Sequence, residues 1–152
     1  MKVRKSFLEF AMINRFYQIL KRIMLHAILC HGLVLDIGCG EGSFPKKEKI
    51  VGLDIDKQRI KRCFYDFKVL GDASSLPFKD KAFDVALEMN CLPYTGNRKH
   101  ALKEMLRVGR RVYLIEPIRR HMRAHWFSLS DLLSLGIPLL FVFRTIVIIV
   151  KR

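Results

Sequence analysis

Short apolar runs alternate along this chain with longer amphipathic or polar stretches. Leu33-Val34-Leu35 leads into Asp36-Ile37 and then into a turn where glycine takes every second place, Gly38-Cys39-Gly40-Glu41-Gly42. A brief apolar run bounded by glycine reads as a buried strand of a parallel sheet. The pattern returns at Ile50–Ile55, Phe67–Leu70, Phe83–Met89 and Arg111–Pro117, which predicts four further strands. Asp56 is placed to cap a short helix running to about Phe64, and Asn97 to cap a helix through about Val108. The second helix would turn Ala101, Leu102, Met105 and Leu106 inward. Gly71–Phe78 and Asn90–Tyr94 are loops by composition. This alternation predicts an α/β fold, a doubly wound and mostly parallel sheet.

The two ends follow other patterns. Over residues 5–31, Phe10, Ile13, Tyr17, Leu20, Met24 and Ala27 recur at steps of three and four. One long amphipathic helix, or two joined by a bend, is expected there, stopped at His31-Gly32. Arg119–Phe127 is basic, Ser128 or Ser130 caps a short helix, and Gly136 ends it. Ile137–Val150 is shorter than the roughly twenty apolar residues of a membrane span and contains Arg144. Its β-branched and aromatic residues predict two strands meeting near Arg144-Thr145, an antiparallel hairpin. Residues 1–152 thus read as one domain, a helical segment at 1–31 and a sheet core at 32–152. Between Gly38 and Lys49 there is barely room for a parallel crossover, so its helix should shrink to a turn or two.

Composition narrows the class. The chain has 152 residues, 51% of them hydrophobic, which suffices for one core and argues against disorder. Four cysteines without C-x-x-C spacing argue against a disulfide framework or a zinc knuckle, and for a reducing cytoplasm. A signal peptide does not fit the N-terminus, where Glu9, Asn14 and Arg15 break the apolar stretch. His121 and His125 share a helix spacing but lack the H-E-x-x-H pattern and a third ligand, so no metal site is expected. The net charge of +14 favours anionic partners. Lysine and arginine are twice as frequent as the acids, too large an excess for thermal adaptation alone.

Three acids, Asp36, Asp54 and Asp72, stand at or just past the ends of successive strands. Parallel strands gather those ends on one edge, where ligands of doubly wound folds bind. Each acid alone also suits a cap or turn, but their joint placement favours a shared ligand. Asp54 follows the glycine loop at the distance of an acid that accepts both hydroxyls of a ribose. The loop is G-x-G-x-G, and Ser43 stands where the dinucleotide fingerprint needs its third glycine.

With its preceding acid, Leu35-Asp36-Ile37-Gly38-Cys39-Gly40-Glu41-Gly42 resembles motif I of the class I S-adenosylmethionine-dependent methyltransferases. The resemblance continues in the family's order through Val51–Asp56, Gly71-Asp72-Ala73 with Leu76-Pro77-Phe78, Phe83–Leu87 and Leu114–Pro117. It implies S-adenosylmethionine as cofactor. Asp36 and the loop Gly38, Cys39 and Gly40 would hold its methionine part, Asp54 its ribose hydroxyls, Ile55 a face of the adenine, and Asp72 with the Ala73 N–H the adenine edge. It also implies that the final helix and hairpin close a seven-stranded sheet. The short first crossover and the shortened turn at Val108-Gly109-Arg110-Arg111 depart from the family pattern.

A methyl group on sulfonium is already activated, so the protein need chiefly align an acceptor and exclude water. Candidates for a base or an orienting group after the fourth and fifth strands are Glu88, Asn90, Tyr94, Glu116 and His121. Asn90–Tyr94 matches the N-P-P-Y loop of amino-methylating enzymes poorly. The expected activity is methyl transfer to an anionic small molecule or to RNA. The basic residues on or just after the second helix, Arg98, Lys99, Lys103, Arg107, Arg110 and Arg111, suit an anion, as do Arg119, Arg120 and Arg123 after the fifth strand. The alternatives are a non-catalytic cofactor-binding subunit that needs a partner, and a dinucleotide-dependent oxidoreductase, which Ser43 disfavours.

Overall fold

The computed structural model describes residues 32–44 and 49–115, together with the backbone of two strands at 139–142 and 146–149. The strands are β1 (Val34–Ile37), β2 (Ile50–Asp54), β3 (Phe67–Leu70), β4 (Phe83–Met89), β5 (Gly109–Ile115), β6 (Leu139–Val142) and β7 (Ile146–Ile149). Two α-helices, α1 (Lys57–Arg62) and α2 (Arg98–Val108), and one 3-10 turn, Leu92–Tyr94, complete the described elements. The helical segment expected over 5–31 lies outside the described residues, as do the basic stretch after β5 and the short helix before β6.

Five parallel strands form one sheet in the order β3-β2-β1-β4-β5. β1 is central and wholly buried because its four residues face cover on both sides. The strand order reverses at β1, and such a reversal opens a crevice at the carboxyl ends of the strands. β3, at the edge, is mostly exposed and mixes Lys68 with apolar residues. β6 and β7 pair antiparallel, with Val142 opposite Ile146. They make a ladder of their own, so the seven-stranded sheet expected from the resemblance is present as a five-stranded and a two-stranded piece.

Local sequence explains the helices. Asp56 Oδ1 accepts the N–H of Gln58 at 2.8 Å and of Arg59 at 3.1 Å, a side-chain N-cap that starts α1. The helix stops at Arg62, two residues short of the expected end, and the ring of Phe64 turns onto Gly42. Asn97 Oδ1 accepts the His100 N–H at 3.1 Å and starts α2. Ala101, Leu102, Met105 and Val108 of α2 are buried in the core with Leu35, Ile37, Ala86 and Val112. Leu106, expected on the same face, is partly buried beside it.

Two junctions are tighter than expected. Residues 38–44 make only turns, so among the described residues the first crossover has no helix at all. Phe44 is buried there, and its N–H and that of Ser43 donate to the Tyr65 hydroxyl at 2.9 and 3.0 Å. α2 passes directly into β5 at Gly109, where a Cβ would stand 2.7 Å from the Ala86 Cβ. The fifth strand therefore begins two residues before Arg111, because a glycine lets it approach β4.

Candidate active site

A cleft of about 770 Å³ opens at the carboxyl ends of β1, β2 and β4, within the range of cofactor sites. Its walls come from the glycine loop, the end of β2 with α1, the turn after β3, and the loop after β4. The sheet brings these segments together although they span residues 38–96.

The glycine loop is held by backbone bonds. The N–H groups of Gly38 and Cys39 donate to the Leu53 carbonyl at 2.8 and 3.1 Å, tying the loop to β2. Gly38 has φ +71°, and a Cβ there would lie 2.3 Å from the Cys91 Cβ. Glycine is required on both counts, since a side chain would strain the backbone and push the β4 loop away. The Cys39 thiol lies 3.9 Å from the Cys63 sulfur and packs beside Gly52. Burial pushes this thiol well above the usual range, so Cys39 offers the cleft its backbone rather than a nucleophile.

Asp54 ties the two parts of this wall together. Its Oδ2 accepts the Gly40 N–H at 2.7 Å and its Oδ1 accepts the Asp56 N–H at 2.8 Å. The carboxylate is buried yet lines the cleft, and its oxygens have lone pairs for further donors. Beside it Ile55 is 70% exposed, an aliphatic side chain on the cleft rim with little else to cover it. Asp72 and Ala73 line the cleft across from β2. Asp72 Oδ1 accepts both the backbone N–H and the hydroxyl of Ser74 at 2.8 Å, which fixes the turn after β3.

Two of the acids singled out in the sequence do other work. Asp36 does not line the cleft: it is 1% exposed and its Oδ2 accepts the Tyr65 hydroxyl at 2.8 Å. Through Tyr65 it anchors Ser43 and Phe44, so it braces the loop from beneath rather than touching a ligand. Burial pushes its carboxyl up to about 7; the charges of Glu88 and Asp54 add to the rise and the Tyr65 hydrogen bond opposes it. Glu88 is also fully buried, and its Oε1 accepts the N–H groups of Cys91 and Leu92, the latter at 3.0 Å. It caps the turn that follows β4 and is removed from the candidate bases.

Asn90 and Tyr94 do line the cleft. Asn90 adopts φ +61°, which asparagine tolerates, with its N–H donating to the Ile115 carbonyl at 3.1 Å. Tyr94 is 77% exposed. Glu116 and His121 lie outside the described residues, as do Arg119, Arg120 and Arg123. Arg107, one of the basic residues of α2, is a staple: its guanidinium bonds the Leu76 and Phe78 carbonyls, Asp80 and Glu104 at 2.6–3.0 Å. Sequence reading missed Tyr65 and Arg59, and Arg59 also lines the cleft. The tyrosine gave no signal, whereas the arginine stands in the first turn of a helix whose cap was legible.

A family model described as "Methyltransferase domain" matches residues 35–112, half of the chain. The chain belongs to this methyltransferase family. An uncharacterised protein of Methanocaldococcus jannaschii is 36% identical over 100 residues, 62% of this chain and 40% of that protein. Squalene methyltransferase 1 of Botryococcus braunii is 30% identical over 113 residues, 64% of this chain and 28% of that enzyme. The matches thus span less than half the length of these curated relatives. A crystal structure of a SAM-dependent methyltransferase from Methanosarcina mazei shares the fold, with a TM-score of 0.64 at 20% identity over 85% of this chain and 96% of that one.

S-adenosylmethionine is the cofactor of the family, and the cleft's chemistry suits it. Its sulfonium and ammonium groups are cationic, and the lining carries the carboxylates Glu41, Asp54, Asp56 and Asp72. A dinucleotide would instead bring its pyrophosphate against this acidic wall, which disfavours the oxidoreductase alternative. Among the described residues no helix is long and apolar enough to cross a membrane.

Proposed function

We propose that this methyltransferase domain transfers a methyl group from S-adenosylmethionine to an anionic small molecule presented at the β4 side of the cleft. The observation that carries the reading is Asp54, a carboxylate lining the cleft while it fixes both the glycine loop and the turn after β2. In this reading Asp54 accepts the ribose hydroxyls, and Gly38, Cys39 and Gly40 pass beneath the methionine part. Ile55 covers one face of the adenine, and Asp72 with the Ala73 N–H meets its edge. The cofactor supplies an electrophilic methyl group when bound. The chain's own task is alignment and the exclusion of water. Asn90 and Tyr94, the two remaining described candidates, orient the acceptor or take up its proton.

The anionic acceptor is supported by the net charge of +14 set against an acidic cleft lining, since the basic surplus then acts outside the cofactor's seat. Arg119, Arg120 and Arg123 are the residues we assign to its capture, and the cytoplasm is the compartment we assign from the cysteine pattern. The test is incubation of the pure protein with methyl-labelled cofactor and extracts of metabolites, RNA or protein. Label in a small anionic product supports the reading, and label in RNA moves the acceptor to the other class. Cofactor binding without any transfer would leave a non-catalytic subunit that needs a partner.

A further inference from the structure

The cleft lining holds four acidic residues and, among the described residues, a single cation, Arg59. Arg59 belongs to the first turn of α1, where its backbone N–H is fixed by Asp56. Its side chain reaches over the glycine loop. The heavy atoms nearest to a Cβ built on Gly40 are Arg59 Cζ, Nε and Nη1, at 3.7, 3.9 and 4.0 Å. Gly40 meanwhile donates its own N–H to Asp54. The guanidinium therefore lies beside Gly40, on the loop that Asp54 holds in place.

A cation is not needed there to neutralise the loop. Its one acidic side chain, Glu41, is already bonded to Arg62 at 2.9 Å. The Asp56 carboxyl, held below the usual range chiefly by the N–H groups of Arg59 and Gln58, also feels the Arg59 charge, and the guanidinium lines the cleft beside it. S-adenosylmethionine has one anionic group, the carboxylate of its methionine part, and a guanidinium binds carboxylate through paired charge-assisted hydrogen bonds. We propose that Arg59 holds that carboxylate above Gly40, an assignment that rests on the reading of this cleft as the S-adenosylmethionine site. The lining then surrounds a cationic cofactor with acidic residues and meets its one anion with Arg59.

The experiment compares S-adenosylmethionine with its decarboxylated form, which keeps the adenosine, the sulfonium and the amine. Calorimetry is run on the full chain as wild type, Arg59→Met and Arg59→Lys, with circular dichroism melts to establish that each variant folds. Losing a charge-assisted contact should lower the affinity ratio of the intact to the decarboxylated compound roughly tenfold to a hundredfold in Arg59→Met. Decarboxylated cofactor should bind that variant as well as it binds wild type, or better. Arg59→Lys should retain part of the ratio, since it keeps the charge and loses the fork. Equal weakening of both compounds in Arg59→Met would make Arg59 a structural residue, and an unchanged ratio would put the carboxylate elsewhere. Either result overturns the assignment while leaving the cofactor site standing. Failure of wild type to bind either compound would overturn both together.

Discussion

The two walls of the cleft are built differently. On the β1–β2 side, backbone N–H groups are spent on Leu53 and Asp54, so the loop's shape is set by the strand beside it. On the β4 side, Glu88 caps the turn from within, and the residues presented to the cleft, Asn90 and Tyr94, are exposed and uncharged. The first wall is braced by hydrogen bonds and charged, which suits a ligand of fixed structure. The second presents side chains on a supported turn, which suits an acceptor that differs between relatives. Shared cofactor chemistry and divergent acceptors fit this division.

The largest effect should come from forcing the walls apart. Gly38→Ala puts a methyl group against the Cys91 Cβ and strains a positive φ, and should cost roughly 2–4 kcal/mol of stability in denaturant titrations. A neutral result would mean that the walls are not in contact. Next, Asp54→Ala should weaken S-adenosylmethionine binding by roughly 2–3 kcal/mol, because the ribose loses a charged acceptor and Gly40 loses its anchor. Calorimetry showing full affinity in this variant would shift the cofactor off the first wall.

A third effect sits beneath that wall. Because the Asp36 carboxyl is raised to about 7 in the folded protein, folding favours its protonated form. That contribution is fully present below the ordinary carboxylate range near 4 and is lost as pH rises through about 7. Asp36→Asn keeps an acceptor for Tyr65 and removes the titration, so it should flatten the fall in stability between pH 4 and 7 and add roughly 1–2 kcal/mol at pH 8. Melts at several pH values check this, and an Asn variant with the wild-type slope would assign the slope to other groups. The smallest stability effect belongs to the second wall. Tyr94→Ala should change stability by less than about 0.5 kcal/mol and leave cofactor affinity intact while lowering methyl transfer. Unchanged turnover would remove Tyr94 from the acceptor side.

The difference between the walls also marks what was legible in the sequence. The strands, both helix caps and the place of Asp54 follow from short-range rules: apolar runs bounded by glycine, an acid before a helix, an acid at a strand end. The shortness of the first crossover could be foreseen by counting the residues between Gly38 and Lys49. The bond of Asp36 to Tyr65 could not be read, because Tyr65 is 29 positions away, just before β3, and meets Asp36 only once β1, β2 and β3 are assembled. Glu88 was legible in principle, since it bonds N–H groups three and four residues ahead, but a carboxyl at a strand end looks the same whether it serves a turn or a substrate. Arg107 likewise reads as surface charge until α2 packs over the Leu76 and Phe78 carbonyls.

The most direct measurement of the central claim is a calorimetric titration of the full chain with S-adenosylmethionine and, separately, with NAD. An acidic cleft with a G-x-G-x-G loop and Asp54 at its centre predicts binding of the first at one site and no detectable binding of the second. Binding of NAD, or no heat with S-adenosylmethionine, would contradict the account.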